Sequence, residues 1–481
     1  MDGMVSWNDY EGIEGFGHTS QDEVDALNKA LAAGSDQNPP GSAAAGDGFA
    51  LRTESLERTL RVTTFKMEHI RLWKALTKSA AYNTVEEYNT LSEYGENPDA
   101  GWIAEGDLPE GDDSTYERNF AVVKFLGTTR KVTHVMSLVR PAHGNVIAQE
   151  TINGTMHLLR IMERALFKGD SNLSSVQFDG FERLMLDKSP ASNIIDLRGK
   201  PVSEDILTDA ALTAMDAPNY GMPTHLYLNP KVKADLVKTF FPKERHDTFS
   251  KPDNGMIGLD IKGFTSPAGD VVFEPDVFIT DGGAPTSAVG DASKRPATPT
   301  VSTAVTTPVD AANSQFGADD AGNYFYKFQA CNRYGRSAAV DLVAGPGSVA
   351  VGAQDKVTFG VTAGGGAGST EWYEVFRTKK GGASGTERLV LRVKNTAGAG
   401  ELIVNDFNAN LPGCTSGYLF QMNAEGMGFK QLAPMVKMPL GTQDTSIRWM
   451  QLLYGVPYLP TPRKHVLIRN IGRASGFVGA A

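Results

Sequence analysis

Between Gly95 and Arg118 the chain reads GENPDAGWIAEGDLPEGDDSTYER, and this stretch restricts more than any other what the sequence can fold into. Eight carboxylates (Glu96, Asp99, Glu105, Asp107, Glu110, Asp112, Asp113 and Glu117) face a single cation, Arg118, which leaves a local charge of −7. Only Trp102, Ile103 and Leu108 offer much apolar surface, too little to offset the entropy of folding so long a segment on itself. The segment is therefore expected to lie on another surface. It sits between a Tyr-rich stretch that reads as helix and the strand-like run Phe120–Leu126.

At 481 residues, with 41% hydrophobic and 21% charged, the chain has material for two or three packed units. Its net charge is −10, and residues 1 to 50 carry −8 of it, nine carboxylates against Lys29. The remainder is nearly neutral, which argues against a DNA reader with a broad basic face. Cys331 and Cys414 are too few for a disulfide framework; free thiols are expected, with a pair inside one β unit as the alternative. The chain opens without the basic and apolar regions of a signal peptide, and no apolar run approaches membrane-spanning length. These features lead us to expect a soluble protein made in a cytoplasm.

Residues 1 to 48 read as a mobile acidic arm ending in a Pro/Gly/Ala/Ser linker. In the following segment, Thr84 and Glu87 fit an N-cap with its capping-box partner. After the acidic loop, Phe120–Leu126 and Lys131–Ser137 alternate in polarity and read as a hairpin turning at Gly127–Arg130. The clearest helix spans 145 to 168, with Ile152, Met156, Leu159, Met162 and Leu166 on one stripe and Gly169 as its C-terminal stop. Ser203 caps a helix over 204 to 215, His225–Leu228 reads as a strand, and Asn229-Pro230 opens a helix through Phe240. A turn at Asp253–Gly255 and strands near 271–273 and 277–280 complete an α+β part.

Near Gly282 the composition shifts to Gly, Ala, Thr, Ser and Pro. Short alternating runs follow at 324–330, 357–361, 371–376, 388–392 and 402–404, the spacing of a β-sandwich. Past Tyr418 the mixed style returns, with strands expected at 449–454 and 465–469. Residues 284–417 thus read as an insertion, both of whose ends meet the host domain.

Little in the sequence assembles chemistry. The eight histidines lack metal-ligand spacing, Thr362–Thr370 lacks the lysine of a phosphate loop, and no GxSxG elbow occurs. Lys168-Gly-Asp170 reads as a helix end. The acidic loop lacks the alternating order of a calcium site and reads as a solvated or neighbour-paired surface. Arg448, Arg463, Lys464, Arg469 and Arg473, with no acid after Asp444, form a basic tail suited to acidic neighbours. No cofactor, metal or catalytic residue is assigned.

The phrases Leu51–Leu60 (LRTESLERTL), Tyr82–Asn89 (YNTVEEYN), Val123–Gly127 (VKFLG) and Pro462–Gly472 (PRKHVLIRNIG), in this order around an acidic loop and a long helix, resemble the major capsid proteins of tailed bacteriophages, the Hong-Kong-ninety-seven-type fold. The run Phe328–Ser337 resembles immunoglobulin-like and fibronectin type III modules. The resemblance covers roughly 49 to 283 and 418 to 472. It implies an α+β phage capsid fold: an arm over 1–48, an N-terminal segment 49–94, an extended loop 95–138, a peripheral domain 139–182, an axial domain 183–283, an inserted all-β sandwich 284–417 and a return through both domains over 418–481. It further implies hexamers and pentamers closing an icosahedral shell around double-stranded DNA, in a virion assembled in the bacterial host cytoplasm. Portal, scaffold and decoration proteins would be further partners, with no membrane involved.

Some members of that family cross-link a loop lysine to a neighbour's asparagine, but residues 95 to 120 contain no lysine. A non-covalent grip is expected. Glu105, Asp107, Glu110, Asp112 and Asp113 would dock on basic residues of an adjacent subunit, with Arg130, Lys131, Arg140, Arg463 and Lys464 as candidates. Such surface pairs contribute about 0.2–1 kcal/mol each and weaken with salt, so they would set register more than strength. The alternatives are an encapsulin-like shell that stores cargo, a tail or adhesion protein owning the β insertion, and an enzyme.

Overall fold

The computed structural model describes residues 62–95, 102–108, 111–139, 144–240, 261–345, 347–366, 368–441 and 444–474. The expected arm at 1–48 and the turn at Asp253–Gly255 lie outside them.

A six-stranded mixed sheet runs in the order Ile194–Asp196, Val466–Ile471, Thr415–Phe420, His225–Leu228, Gly269–Pro275 and Gly263–Ser266. Its central strands are buried on both faces, so they read as apolar runs and not as alternation. Alternate residues still serve different cores, because successive side chains point to opposite faces. Tyr227, Tyr418, Phe420 and Leu467 join the core beneath the long helix Val146–Lys168. Leu226, Leu228, Leu419, Val466 and Ile468 join a second core with helices Glu204–Met215 and Pro230–Phe240. The first of these helices begins where the Ser203 hydroxyl accepts the Ile206 N–H at 3.4 Å, with Glu204 and Asp205 in its first turn. At the second, the Asn229 carboxamide accepts the Lys231 N–H at 2.8 Å ahead of Pro230.

The long helix has 23 residues, about 35 Å of rod. Leu158, Leu159, Met162, Leu166 and Phe167 are buried along it, whereas Ile152, expected on the same stripe, is 57% exposed. The helix rests on a four-stranded sheet in the order Lys78–Ala80, Gly428–Pro439, Ser446–Tyr458 and Lys124–Thr133. Gln451 donates to the Thr151 carbonyl at 2.9 Å and to the Thr155 hydroxyl at 3.2 Å. This close seat needs Gly154, where a Cβ would stand 1.9 Å from the Gln451 Oε1. Gly169 admits a similar approach, since a Cβ there would meet the Ala165 and Phe178 carbonyls at 2.6 Å.

Three local expectations are corrected. Residues 85–93 form a strand, Val85–Glu93, and not a helix. Its partner is Thr115–Val122, so the hairpin encloses the acidic loop. Gly127–Arg130 is no turn: it lies mid-strand, paired to Leu452–Trp449, because the long strand Ser446–Tyr458 supplies a continuous edge, and 134–138 is helical. Val277–Thr280 forms no strand; Asp276 turns the chain there by accepting the Phe278 N–H at 2.7 Å.

Between Val289 and Asp406 two main sheets, with the small pair Gly322–Tyr324 and Val349–Val351, share one core. One contains Arg388–Lys394, Trp372–Arg377 and Tyr326–Asn332 with short strands beyond; the other runs Ala297–Thr306, Val357–Gly364, Glu401–Asp406. Phe328, Tyr373 and Val375 from the first meet Phe359, Val361 and Val404 from the second. Arg377, 1% exposed, crosses between them to Asp406 at 2.7 Å, with its guanidinium over the rings of Phe316 and Tyr324. Arg198 ties this part to the six-stranded sheet's side by donating to the carbonyls of Asn408 and Gln315 at 2.7 and 2.6 Å. Because Thr415–Phe420 belongs to the six-stranded sheet, the chain returns to it slightly before Tyr418. Cys331 and Cys414 are both free.

Candidate intersubunit surface

The hairpin Val85–Glu93/Thr115–Val122 has two unlike faces, set by its register. Glu86, Tyr88, Thr90, Asn119 and Ala121 are half-buried and face the body. Lys188 holds this side, donating to the Tyr88 hydroxyl and the Asn119 Oδ1, each at 3.3 Å, while Tyr88 packs 5.9 Å from the Tyr458 ring. At the hairpin's root the Glu86 carboxylate accepts the Asn83 and Tyr82 N–H groups at 2.9 and 2.7 Å, and these bonds hold it below the usual carboxylate range.

The other face points outward and carries most of the hairpin's large apolar side chains, interleaved with Glu87, Asn89 and Arg118. Register pairs place Val85 against Val122, Glu87 against Phe120, Asn89 against Arg118 and Leu91 against Tyr116. Phe120 is 68% exposed and Tyr116 71%, with Val85, Leu91 and Val122 exposed beside them and an Arg118–Glu87 ion pair across the row. At the tip Trp102 and Leu108 are almost wholly exposed. Sequence reasoning missed this row, because Val85–Leu91 was expected to be helical and its period-two alternation went unused.

The acidic candidates lie along the loop that the hairpin encloses. Glu105, Asp107 and Asp113 are exposed, and Asp107 turns the chain by accepting the Leu108 N–H at 2.9 Å. Asp112 lies against Gly95, across the base of the loop. Glu110 and Arg140 fall outside the described residues.

The basic candidates are scattered. Arg130 reaches Glu150 on the long helix at 3.4 Å, and its Nε is buried without a partner. Lys131 pairs with Asp444 at 2.7 Å; together with bonds from Ser446 and Arg448 this holds the Asp444 carboxyl well below the usual range. Both cations are thus engaged within their own chain. Arg463 and Lys464, on the turn Pro462–Lys464, make no ion pair among the described residues. They line a cleft of about 660 Å³ whose other wall is the hairpin edge at Thr90–Tyr94 and Glu117. Among the described residues, none of Glu105, Asp107 and Asp113 pairs with Arg130, Lys131, Arg463 or Lys464 within the chain. No group of His, Cys, Asp and Glu among the described residues could hold a metal ion. No helix among them is long and apolar enough to cross a membrane.

No model of a known protein family matches the chain. It is 23% identical over 446 residues to the major capsid protein of Staphylococcus phage S25-3, covering 88% of this chain and 91% of the relative. The putative major capsid protein of Enterococcus phage phiEF24C is also 23% identical, over 443 residues, covering 88% and 90%. Among solved structures, the capsid of a native GTA particle gives a TM-score of 0.47 at 9% identity, covering 90% of this chain and 99% of that one. An encapsulin complex from Synechococcus elongatus gives 0.39 at 10%, covering 88% and 93%. Scores this low leave the fold to be argued from its own sheets and helices. The sequence match runs through most of both chains, and it favours a virion shell over a cargo-storing compartment: the function of this chain is that of a phage major capsid protein.

Proposed function

We propose that copies of this chain close, through hexamers and pentamers, into an icosahedral shell around double-stranded DNA, and that the hairpin is its non-covalent grip. The observation that carries the reading is the outward apolar row Val85, Leu91, Tyr116, Phe120 and Val122. A two-stranded ribbon is marginal in water by itself, and this one leaves its apolar side uncovered. Burying each large side chain of the row against a neighbouring subunit contributes about 1.5–3 kcal/mol, against about 0.2–1 kcal/mol for each carboxylate pair along the loop. The row supplies strength, and Glu105, Asp107, Glu110, Asp112 and Asp113 supply register on a neighbour's cations. Arg463 and Lys464 suit that role best, since Arg130 and Lys131 already have partners in their own chain. With no lysine between 95 and 120, the grip needs no cross-link.

In this reading the long helix and the four-stranded sheet belong to the peripheral domain, and the six-stranded sheet with its two helices to the axial domain. The two-sheet part within 284–417 is an inserted immunoglobulin-like module, accessory to closure. Portal, scaffold and decoration proteins would complete a virion assembled in the host cytoplasm.

Electron microscopy of the chain expressed alone tests the grip. Phe120→Asp with Tyr116→Asp should abolish closed shells while leaving the unfolding midpoint of the free subunit unchanged. Reversing Glu110, Asp112 and Asp113 to Lys should impair closure and remove its salt dependence. Normal shells from the Phe120/Tyr116 variant would overturn the reading.

A further inference from the structure

Positive charge gathers in a cleft of about 340 Å³ between the long helix and the two-sheet part. Arg164 enters it from the helix, Arg336 and Arg392 from the strands Gly335–Arg336 and Arg388–Lys394. One buried carboxylate, Glu374, stands among them. Arg392 reaches its Oε1 at 3.1 Å and Arg336 its Oε2 at 3.4 Å, while Gln329 donates to the same Oε2 at 2.8 Å. Arg164, exposed at the rim of the cleft, makes no hydrogen bond or ion pair among the described residues, and the Arg392 and Arg336 guanidiniums at the same cleft disfavour its charge. Of the other charges lining the cleft, Lys168 lies 3.8 Å from Glu182 and Arg183 lies 2.8 Å from Asp187, while Arg469 donates to the Asn410 Oδ1 at 2.6 Å and Asp170 accepts the Asn172 N–H at 2.9 Å.

Three guanidiniums share the cleft with one buried carboxylate, Glu374, so its rim carries an excess of positive charge. Planar N–H forks on three sides suit an oxyanion with several acceptor oxygens, which Arg binds by paired hydrogen bonds. We propose that this cleft binds a small phosphate-class oxyanion between Arg164, Arg336 and Arg392, bridging the long helix to the two-sheet part. The site is independent of the hairpin grip, and its ligand is free phosphate or a terminal phosphate of a nucleic acid.

The test uses the full unassembled chain. Thermal unfolding is followed while inorganic phosphate replaces chloride at constant ionic strength, with a 5′-phosphorylated dinucleotide as a second probe. The melting temperature should rise saturably with phosphate, and Arg164→Ala should weaken apparent binding about tenfold or more, the loss of one charge-assisted contact. Without phosphate, Arg164→Ala should melt no lower than the parent, since it removes repulsion and breaks no bond. A response to phosphate alone assigns the free ion, and an equal response to the dinucleotide assigns the nucleic-acid end. Equal rises in parent and variant, or no rise beyond chloride, would overturn the site.

Discussion

Replacing Asp276 by Asn should make the protein more stable in alkaline solution and flatten its response to pH. Glu163, on the long helix, and Asp276 are both wholly buried. The Glu163 Oε1 accepts the N–H groups of Arg71 and Leu72 at 2.9 and 2.7 Å, and its Oε2 accepts that of Trp73 at 2.9 Å. The Asp276 Oδ1 accepts the Phe278 N–H, which leaves a buried Oδ2 without a partner. Two carboxyl groups this close inside a core cannot both ionise, so they share one proton. Burial, then the neighbouring Asp276, pushes Glu163 up from an ordinary 4.5 to about 8; burial also raises Asp276. The surrounding charges are the Arg71–Glu274 pair and Lys78, with Tyr227 alongside.

The native state keeps a proton that the unfolded chain releases at ordinary carboxyl values. This contribution is complete below about pH 4.5 and is lost as pH rises toward 8, at about 1.4 kcal/mol per pH unit, or about 5 kcal/mol across the window. In Asp276→Asn the amide N–H takes the place of the shared proton and the side-chain carbonyl still receives Phe278. Urea unfolding of the unassembled subunit at pH 5.5, 7 and 8.5 should show a steeper fall in stability with pH in the parent than in the variant, whose Glu163 keeps only the part of the shift due to burial. Parallel pH profiles for the two proteins would refute the shared proton.

Two further predictions concern packing. Asp406→Ala strands the Arg377 guanidinium in the core of the two-sheet part and also removes the acceptor of the Tyr326 hydroxyl at 3.0 Å; unfolding free energy should fall by about 3–5 kcal/mol, and a loss below about 1 kcal/mol would show that the charge pair does not hold the sheets. Gly154→Val drives a branched side chain into Gln451 and breaks its bonds to Thr151 and Thr155, so denaturant titration should show a loss of about 2 kcal/mol, whereas an unchanged midpoint would mean that the helix is not seated on the sheet.

Where a segment's partners are near in sequence, its structure was legible. The Ser203 cap, Asn229-Pro230 and the stripe Leu159–Leu166 report helices because caps and i, i+4 neighbours are local interactions. The β character of 324–404 was legible for the same reason, through alternation and glycine turns. The acidic loop's need for another surface followed from charge and apolar content alone. The misread segments are those whose partners lie far away. Gly127–Arg130 has turn composition, yet it pairs with Trp449–Leu452 more than 300 residues on. Val85–Glu93 carries a capping-box pattern, and only its ladder with Thr115–Val122 makes it a strand.

The sequence by itself determined the elements that local chemistry can specify, the change of style near 282, and the strongly acidic loop with no lysine in it. The tertiary structure alone decided which of the proposed cations remain unpaired in their own chain, and which side chains of the hairpin face outward as an apolar row. It also decided that Glu163 meets Asp276 and that Arg164 meets Arg336 and Arg392. The physical reason is common to all four: burial and charge pairing depend on long-range juxtaposition, and local sequence carries no record of the partner.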